Sequence, residues 1–202
     1  MKILVACEES QTITKLLRAK GHEAYSCDIQ DCRGEHPEWH IKGDAIKEAY
    51  SSKYDAMIAH PPCTFMSKAG ARWMYPTAGN VCNIRLSKAM DAKEFFLKLM
   101  NAPINLIAIE NPTPLKIVGL PLHSQSVQPY EYGDPYSKKN LLWLKGLPNL
   151  IPTEILKEYK PYLPSNTGGK KRGQSYMFKS ISQKESSKTF NGIAKAIANQ
   201  WF

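Results

Sequence analysis

A cysteine and a glutamate in this sequence each follow a short apolar run and lie near proline. Cys63 comes directly after Pro61 and Pro62, which end the run 56–59, and Glu110 ends the run 105–109. Runs of this length are typical of strands buried on both faces of a sheet. Prolines cannot donate to the sheet ladder, so the strand ends before Cys63. Since open α/β sheets bind ligands at the carboxyl ends of their strands, we expect a thiol and a carboxyl to face one cleft.

This pair of groups suits covalent chemistry on a heterocycle. A thiolate adds to an electron-poor carbon, and a neighbouring carboxyl can hydrogen-bond the ring and stabilise the adduct. On a pyrimidine, addition at C6 makes C5 nucleophilic, and C5 then captures an electrophilic methyl group. Cys63 precedes a predicted helix in a basic stretch, which favours its thiolate. The plainer interpretations are a small buried residue for Cys63 and a helix N-terminal acid for Glu110.

The chain around this pair alternates between strand and helix patterns. Strands are predicted at 3–6 and 23–27, and the helix between them would begin after a Ser10 cap and end at Gly21. Further strands are predicted at 39–44, 126–132 and 141–144, and further helices at 45–50, 86–99 and 190–201. The alternation predicts an α/β fold with a Rossmann-like, doubly wound, mostly parallel sheet, in a single domain spanning 1–202.

Asp28 ends the second predicted strand, about 20 positions after the first turn. Nucleotide-binding α/β folds place a carboxylate there to hold ribose hydroxyls. The first turn has no glycine, however, so the glycine-rich phosphate fingerprint is missing. Asp28 is therefore either a ribose ligand or a solvated turn residue.

Two long stretches lack a regular period. The segment 64–80 mixes basic, aromatic and small residues, including Arg72 and Trp73, which is typical of a functional lid or binding loop. The segment 145–188 is rich in Pro, Gly, Lys and Ser. Within it, the basic stretch 168–173 either follows a phosphate backbone or is a solvated tip.

Composition indicates a globular protein with a basic surface. The chain has 202 residues, a formal net charge of +9 and a pI near 9.2, which favours a polyanionic partner such as DNA. Five cysteines without a framework spacing, and no signal-peptide pattern, predict free thiols and a cytoplasmic location. No apolar run approaches the ~20 residues of a membrane span. No metal site is expected, because Cys27, Cys32, His36 and His40 have no common zinc spacing.

Two motifs carry a resemblance to a known family. Pro61-Pro62-Cys63 and Glu110-Asn111-Pro112 resemble, in order and spacing, the Pro-Pro-Cys and Glu-Asn-Val/Pro motifs of the cytosine-C5 DNA methyltransferases. Weaker similarities to further motifs of that family lie at Gly43-Asp44, at Tyr132-Gly133-Asp134-Pro135 and at Phe190-Asn191-Gly192. The whole pattern looks like a small phage or prophage group that is usually described as methyltransferase-like.

The resemblance implies a class I methyltransferase-like fold and S-adenosylmethionine-dependent methyl transfer to C5 of cytosine in DNA. It implies that Cys63 is the nucleophile and that Glu110 holds N3 and the exocyclic amine of the base. The residues it implies at the cofactor, with Asp28 on the ribose and Asp44 on the adenine, are Cys7, Glu8, Asp28, Asp44, His60 and Pro61. The residues it implies at the substrate are Pro62, Asn111, Lys138, Lys139 and Asn140.

The sequence departs from the family in three places. The first turn has side chains where the family has glycines, so Glu8 or Glu9 either takes the methionine ammonium or blocks the cofactor. Asn140 replaces the arginine that would hold the target base. The segment 145–188 is too short for the family's target-recognition domain, which predicts loose recognition or help from a protein partner. The alternatives are an enzyme acting on a free nucleotide or RNA, and a catalytically silent nucleic-acid-binding protein.

Overall fold

A computed structural model describes residues 1–162 and 189–202 of the chain. The strands are β1 (Lys2–Ala6), β2 (Glu23–Asp28), β3 (His40–Lys42), β4 (Ala56–Ala59), β5 (Leu106–Pro112), β6 (Gln125–Val127), β7 (Tyr136–Ser137), β8 (Asn140–Lys145) and β9 (Lys160–Pro161). The α-helices are α1 (Thr12–Ala19), α2 (Ala45–Ala49), α3 (Ala71–Met74), α4 (Asn83–Met100) and α5 (Asn191–Gln200).

A seven-stranded sheet in the order β3-β2-β1-β4-β5-β8-β6 forms the centre of the fold. The first five of these strands run parallel, and β8 pairs antiparallel with both β5 and β6. The strand order reverses between β1 and β4, which creates the crevice where such sheets bind ligands. The predicted Rossmann-like, doubly wound, mostly parallel α/β sheet is confirmed.

Alternate residues of the strands pack into two separate hydrophobic cores, one on each face of the sheet. Leu4 of β1 packs on the face that α2 and α4 cover, whereas Ile3 packs on the face that α1 and α5 cover. Trp143 is fully buried on the first face, where its ring meets Phe96 of α4 edge-on at 5.0 Å between centroids. Because both faces of the sheet are covered, its central strands are continuous apolar runs, as the sequence indicated.

Three local expectations are wrong. The strand predicted at 126–132 ends at Val127, because the chain turns there into the 3₁₀ helix Pro129–Glu131. The predicted irregular stretch 64–80 contains the 3₁₀ helix Lys68–Gly70 and the helix α3. Ser10 does not cap α1, since Gln11 occupies the cap position in a left-handed conformation.

The second sheet joins a strand that precedes the segment 145–188 to a strand within that segment, which was predicted to replace a recognition domain. It pairs β7 with β9 in parallel, so that Tyr136 lies opposite Lys160. The basic stretch 168–173 lies outside the described residues, and the single domain spanning 1–202 stays a prediction. No helix of the described part is long and apolar enough to cross a membrane.

Candidate active site

The register of β4 and β5 brings the two proline-flanked motifs together. Ala59 pairs with Ile109 in the parallel ladder, so the residues that follow them, His60 and Glu110, leave the sheet side by side. The imidazole Nδ1 of His60 lies 3.2 Å from Oε2 of Glu110. The amide of Asn111 donates a 2.9 Å hydrogen bond to the carbonyl of Pro61. Two side-chain contacts, His60 with Glu110 and Asn111 with Pro61, therefore hold the Cys63 loop against the Glu110 segment.

Cys63 lies in a tight turn that its own carbonyl organises. That carbonyl accepts hydrogen bonds from the backbone N–H groups of Met66 and Ser67, at 3.0 and 2.9 Å. Burial and the charge of Glu110 raise the pKa of the Cys63 thiol, and the partly opposing effects of Lys138 and a hydrogen bond from the Ser67 side chain do not reverse this. The expectation of a favoured thiolate is therefore wrong for the resting protein, because the nearest negative charge and the loss of water outweigh the basic surroundings.

Glu110 is part of strand β5 and does not begin a helix. It lies opposite Leu142 in the antiparallel ladder with β8, which excludes the interpretation of this residue as a helix N-terminal acid. Its side chain is 16% exposed and that of His60 is 12% exposed. No described residue donates a hydrogen bond to the second carboxyl oxygen, Oε1. One oxygen is thus held by histidine, and the other is available to a ligand.

His60 lies at the point where the strand order reverses. Its backbone N–H donates a 3.0 Å hydrogen bond to the carbonyl of Ala6, which ties the ends of β4 and β1. Burial by itself lowers the pKa of His60, but the hydrogen bond and charge of Glu110, with the charges of Glu8 and Glu9, outweigh burial and raise it. The imidazole therefore lies among three carboxyl groups contributed by two different parts of the fold.

The segment between β7 and β8 adds a cation to the same cleft. Burial lowers the pKa of Lys138, while the charges of Glu110 and Cys63 raise it in part, which places the ammonium near both groups. Lys139 is exposed. Asn140 is buried in β8, and its Oδ1 has no hydrogen-bond partner among the described residues. Of the predicted substrate contacts on this segment, Lys138 is therefore the one placed beside the thiol and the carboxyl.

The predicted cofactor residues gather at the ends of β1, β2 and β3. Burial raises the pKa of the Cys7 thiol, followed by the charges of Asp28, Cys27 and Asp44, so these groups surround the first turn. Asp28 accepts a 2.8 Å hydrogen bond from the N–H of Gln30 through Oδ1, and no described residue donates to Oδ2. A free carboxylate oxygen at this position suits a ribose hydroxyl. Asp44 caps α2 by accepting a 2.8 Å hydrogen bond from Ile46.

Glu8 occupies the start of α1. Its carboxyl accepts hydrogen bonds from the N–H of Ile13 at 2.7 Å and from the N–H and hydroxyl of Thr14 at 3.3 and 2.7 Å. These contacts satisfy donors that a helix N-terminus would otherwise offer to an anionic ligand. Only 4% of Glu8 is exposed. Glu8 thus shapes the first turn, and its oxygens are already engaged.

The first turn adopts glycine-like geometry without glycine. Cys7 and Gln11 both have φ near +58°, in the left-handed region that non-glycine residues rarely adopt. Gln11 is held there because its side chain bonds both the carbonyl and the N–H of His36, at 2.6 and 3.1 Å. The loop before β3 therefore packs onto the turn and stabilises a strained backbone. The sequence analysis missed Gln11, and nothing in the pattern of the sequence indicates it.

A basic and aromatic face borders Cys63 on the side of α3 and α4. Arg85 of α4 donates a 2.7 Å hydrogen bond to the carbonyl of Thr64, and its guanidinium lies 5.0 Å from the centroid of the Phe65 ring. Lys88, one turn further along, lies 5.4 Å from the same ring. Trp73 of α3 is 57% exposed. We call this set the α3–α4 face: Phe65, Arg72, Trp73, Arg85 and Lys88.

The α3–α4 face has a signal in the sequence that was overlooked. Between Asp55 and Asp91 the chain contains no aspartate or glutamate at all. The cations of the face are therefore not neutralised by acids of their own segment. In the described part of the chain, their side chains form no ion pair.

The histidines and cysteines that might suggest a metal have other contacts. His40 bonds the hydroxyl of Ser26 at 2.9 Å, and the ring of His36 stacks on Trp39 at 3.6 Å between centroids. Within residues 1–162 and 189–202, no three histidine, cysteine or acidic side chains form a group that could hold a metal ion.

Known proteins give a distant likeness only. No family model matches the chain, and no curated protein matches it. Among solved structures, one described as a DNA modification methyltransferase encoded within a prophage of E. coli is 14% identical, with a TM-score of 0.43 over 80% of this chain and 53% of that one. A mutant of Spodoptera frugiperda DNMT2 is 13% identical, with a TM-score of 0.38 over 83% of this chain and 56% of that one. The chain spans about half the length of either structure, and nothing about its activity follows from these likenesses.

Proposed function

We propose that the protein transfers a methyl group from S-adenosylmethionine to C5 of a cytosine in DNA, through a covalent adduct with Cys63. The observation that carries this proposal is that two side-chain contacts, made by Asn111 and His60, hold the Cys63 loop against the Glu110 segment. It supports a single cleft with a nucleophile, an acid and a cation, since Lys138 lies near both Cys63 and Glu110.

The chemistry of the base follows from these groups. The Cys63 thiolate forms a bond to C6, and the electrons of the C5–C6 double bond make C5 nucleophilic. Glu110, through Oε1, hydrogen-bonds N3 and stabilises the charge that builds up on the ring. After C5 has gained the methyl group, it would lose its proton to a solvent water molecule, the C5–C6 double bond would re-form and the Cys63 sulfur would leave C6.

The resting thiol must lose its proton before it attacks. Burial and Glu110 hold the pKa of Cys63 above its ordinary value, whereas Lys138 and Ser67 favour the thiolate. A bound base that donates a hydrogen bond to Glu110 offsets part of its charge, so the effect that opposes ionisation of Cys63 weakens while that of Lys138 remains. The thiolate is therefore formed mainly when substrate is bound, which limits idle reactivity of the thiol.

The cofactor suits the ends of β1, β2 and β3. Asp28 would hold the ribose through its free Oδ2, and Cys7, Asp44 and Pro61 would border the adenosine. When bound, S-adenosylmethionine supplies an electrophilic methyl group. Glu8 contributes by shaping the turn, because its oxygens are taken up by α1.

A nucleic acid suits the surface beside Cys63. The α3–α4 face offers cations for phosphates, and its exposed Trp73 carries Arg72 at 4.6 Å from the ring centroid, an arrangement on which an unpaired base can stack. Because the segment 145–188 is short for a target-recognition domain, loose rather than sequence-specific recognition is part of the proposal. A protein partner for target recognition is part of the proposal.

The proposal is tested by incorporation of tritiated methyl groups from S-adenosylmethionine. Duplex DNA, single-stranded DNA, RNA and a cytidine mononucleotide are compared with wild-type protein and with the Cys63→Ser and Glu110→Gln variants. We expect label in DNA with the wild type, none with Cys63→Ser and little with Glu110→Gln. Label in RNA or the mononucleotide, with DNA unlabelled, would replace the proposed substrate. No label in any substrate, despite cofactor binding by calorimetry, would overturn the proposed reaction.

One observation favours a second candidate, a nucleic-acid-binding protein without transferase activity. Glu8 fills the helix start that a cofactor would otherwise approach, and Cys7 holds a strained conformation there. Calorimetry with S-adenosylmethionine separates the two candidates. Micromolar binding that the Asp28→Ala variant loses supports the enzyme, whereas no binding, together with salt-dependent DNA affinity, supports the binding protein.

A further inference from the structure

Among the described residues, the imidazole of His60 makes one polar contact, with the side chain of Glu110. Nδ1 lies 3.2 Å from Oε2 of that carboxyl, whereas Nε2 is buried and has no hydrogen-bond partner among the described residues. A histidine that served only to hold the fold together would be expected to satisfy both ring nitrogens. The burial of an unpaired nitrogen is therefore a cost that the contact with Glu110 must offset.

The position of His60 fixes the direction of the Glu110 side chain. His60 is held by its backbone bond to Ala6, and Glu110 is held by the ladder between β5 and β8. Two rigid strand ends thus fix both ends of the contact. With Oε2 directed at His60, Oε1 is the oxygen left without a hydrogen bond in the described part of the chain.

We propose that His60 is a positioning residue that donates a hydrogen bond from Nδ1 to Oε2 of Glu110 and so aims Oε1 at the base. This inference rests on the proposed function, and it gives His60 a role toward the catalytic acid in place of the cofactor contact that the family resemblance implies. As the Cys63 sulfur adds to C6, the proton of its thiol passes by way of Oε1 of Glu110 to N3, and the Nδ1–H donor of His60 stabilises the negative charge on Oε2. When the sulfur leaves C6, the proton returns from N3 to the sulfur by the same path.

The charged surroundings of the pair come from three other segments. Glu8 and Glu9 face His60 from the first turn, Lys138 faces Glu110 from the stretch before β8, and Cys63 lies on the loop that His60 begins. The acids favour a proton on His60. The donor at Nδ1 is thus retained through the reaction.

Kinetics separate a positioning role from a cofactor contact. The His60→Ala variant removes the donor, and the His60→Asn variant replaces it, because the Asn amide nitrogen can occupy the place of Nδ1. We expect His60→Ala to lower kcat for methyl transfer about 10²-fold with little change in the KM for S-adenosylmethionine. The kcat of His60→Asn should be at least about tenfold higher than that of His60→Ala. His22→Asn, at the opposite edge of the sheet before β2, is the matched control and should behave as wild type.

The opposite kinetic pattern would overturn the inference. A raised cofactor KM with unchanged kcat in His60→Ala would assign His60 to the cofactor, and failure of His60→Asn to recover activity while remaining folded would exclude the donor role. A wild type that transfers no methyl group at all would instead overturn the proposed function on which the inference rests.

Nuclear magnetic resonance tests the contact without any activity. In protein with ¹⁵N-labelled histidine, the ring signals of His60 are identified by their loss in His60→Asn. We expect the pKa of His60 to lie above its ordinary value in the wild type and to fall in Glu110→Gln, because burial remains when the carboxyl charge is removed. An unchanged titration in Glu110→Gln would show that the two side chains are not coupled in solution and would overturn the inference independently of the reaction.

Discussion

The side-chain amide of Asn111 and the carbonyl of Pro61 form a 2.9 Å hydrogen bond that joins the two strand ends bearing the candidate catalytic residues. Asn111 is only 3% exposed, and the carbonyl it meets precedes the Pro62-Cys63 turn. The asparagine of the Glu-Asn-Pro segment thus sets the path of the cysteine loop. Its predicted role as a direct substrate contact stays a prediction, while its structural role is visible in the fold.

Removing this hydrogen bond should loosen the Cys63 loop. Asn111→Ala leaves the Pro61 carbonyl without its donor, so we expect a loss of about 1–3 kcal/mol in the free energy of unfolding. Chemical denaturation measures this, with the exposed Asn149→Ala as control. If both variants lose the same small amount, the bond does not organise the loop.

The fold was predictable because its signals are local and redundant. The run 56–59 and the run 106–109 are apolar throughout, and both form central strands of the sheet. The strand direction of β8, by contrast, depends on pairing with β5 and β6 and has no local signal. The strand predicted at 126–132 was too long because the N–H of Gln128 donates a 2.7 Å hydrogen bond to the carboxyl of Glu131, which stabilises a turn.

The candidate site was predictable in part. The nearness of Cys63 and Glu110 follows from two adjacent strands that end at one edge of the sheet, and the structure bears out this arrangement. The prediction that the Cys63 thiolate is favoured was wrong. The pKa of this thiol depends on burial and on the charge of Glu110, and the neighbouring residues in the sequence reveal neither. The hydrogen bonds from Ile13 and Thr14 to the Glu8 carboxyl could be predicted only if the first residue of α1 were known.

The protein's stability should depend on pH through His60. Its pKa in the folded protein is raised above 6.5, so the stabilising contact with Glu110 is fully present below about pH 6.5 and is lost as the pH rises through the folded pKa. The wild type should therefore lose stability relative to His60→Asn as the pH rises through the folded pKa of His60. Chemical denaturation of both proteins from pH 6 upward, in steps of about half a pH unit, measures this difference in unfolding free energy. A pH-independent difference would contradict the assigned direction.

The α3–α4 face should contribute to DNA affinity through charge. Lys88→Gln removes a cation that forms no ion pair in the described part of the chain, and we expect the slope of log affinity against log salt to fall by about 0.9 for each lost phosphate contact. Lys98→Gln, on the same helix but ion-paired with Glu94 at 2.8 Å, is the control and should leave the slope unchanged. Equal effects of the two substitutions would show that only net charge matters.

Trp73 should contribute to the same affinity through stacking. Trp73→Ala is expected to weaken the binding of single-stranded DNA by about 1–3 kcal/mol at fixed salt, without changing the salt slope. Fluorescence anisotropy at several salt concentrations separates the two effects. The exposed Tyr159→Ala, whose ring stacks on Tyr130 at 4.0 Å between centroids, is the comparison. Unchanged affinity in Trp73→Ala would exclude the tryptophan from the interface.

The central claim is a covalent bond between Cys63 and C6 of a cytosine, and trapping tests it most directly. DNA that contains 5-fluorocytosine cannot lose a proton from C5 after methylation, so the Cys63–C6 bond should persist. Intact-mass spectrometry of wild type with this DNA and S-adenosylmethionine should find protein plus DNA plus one methyl group, with the attachment at Cys63, and Cys63→Ser should give no adduct. The absence of an adduct in wild-type protein that binds both DNA and cofactor, or an adduct that persists in Cys63→Ser, would contradict the proposed mechanism.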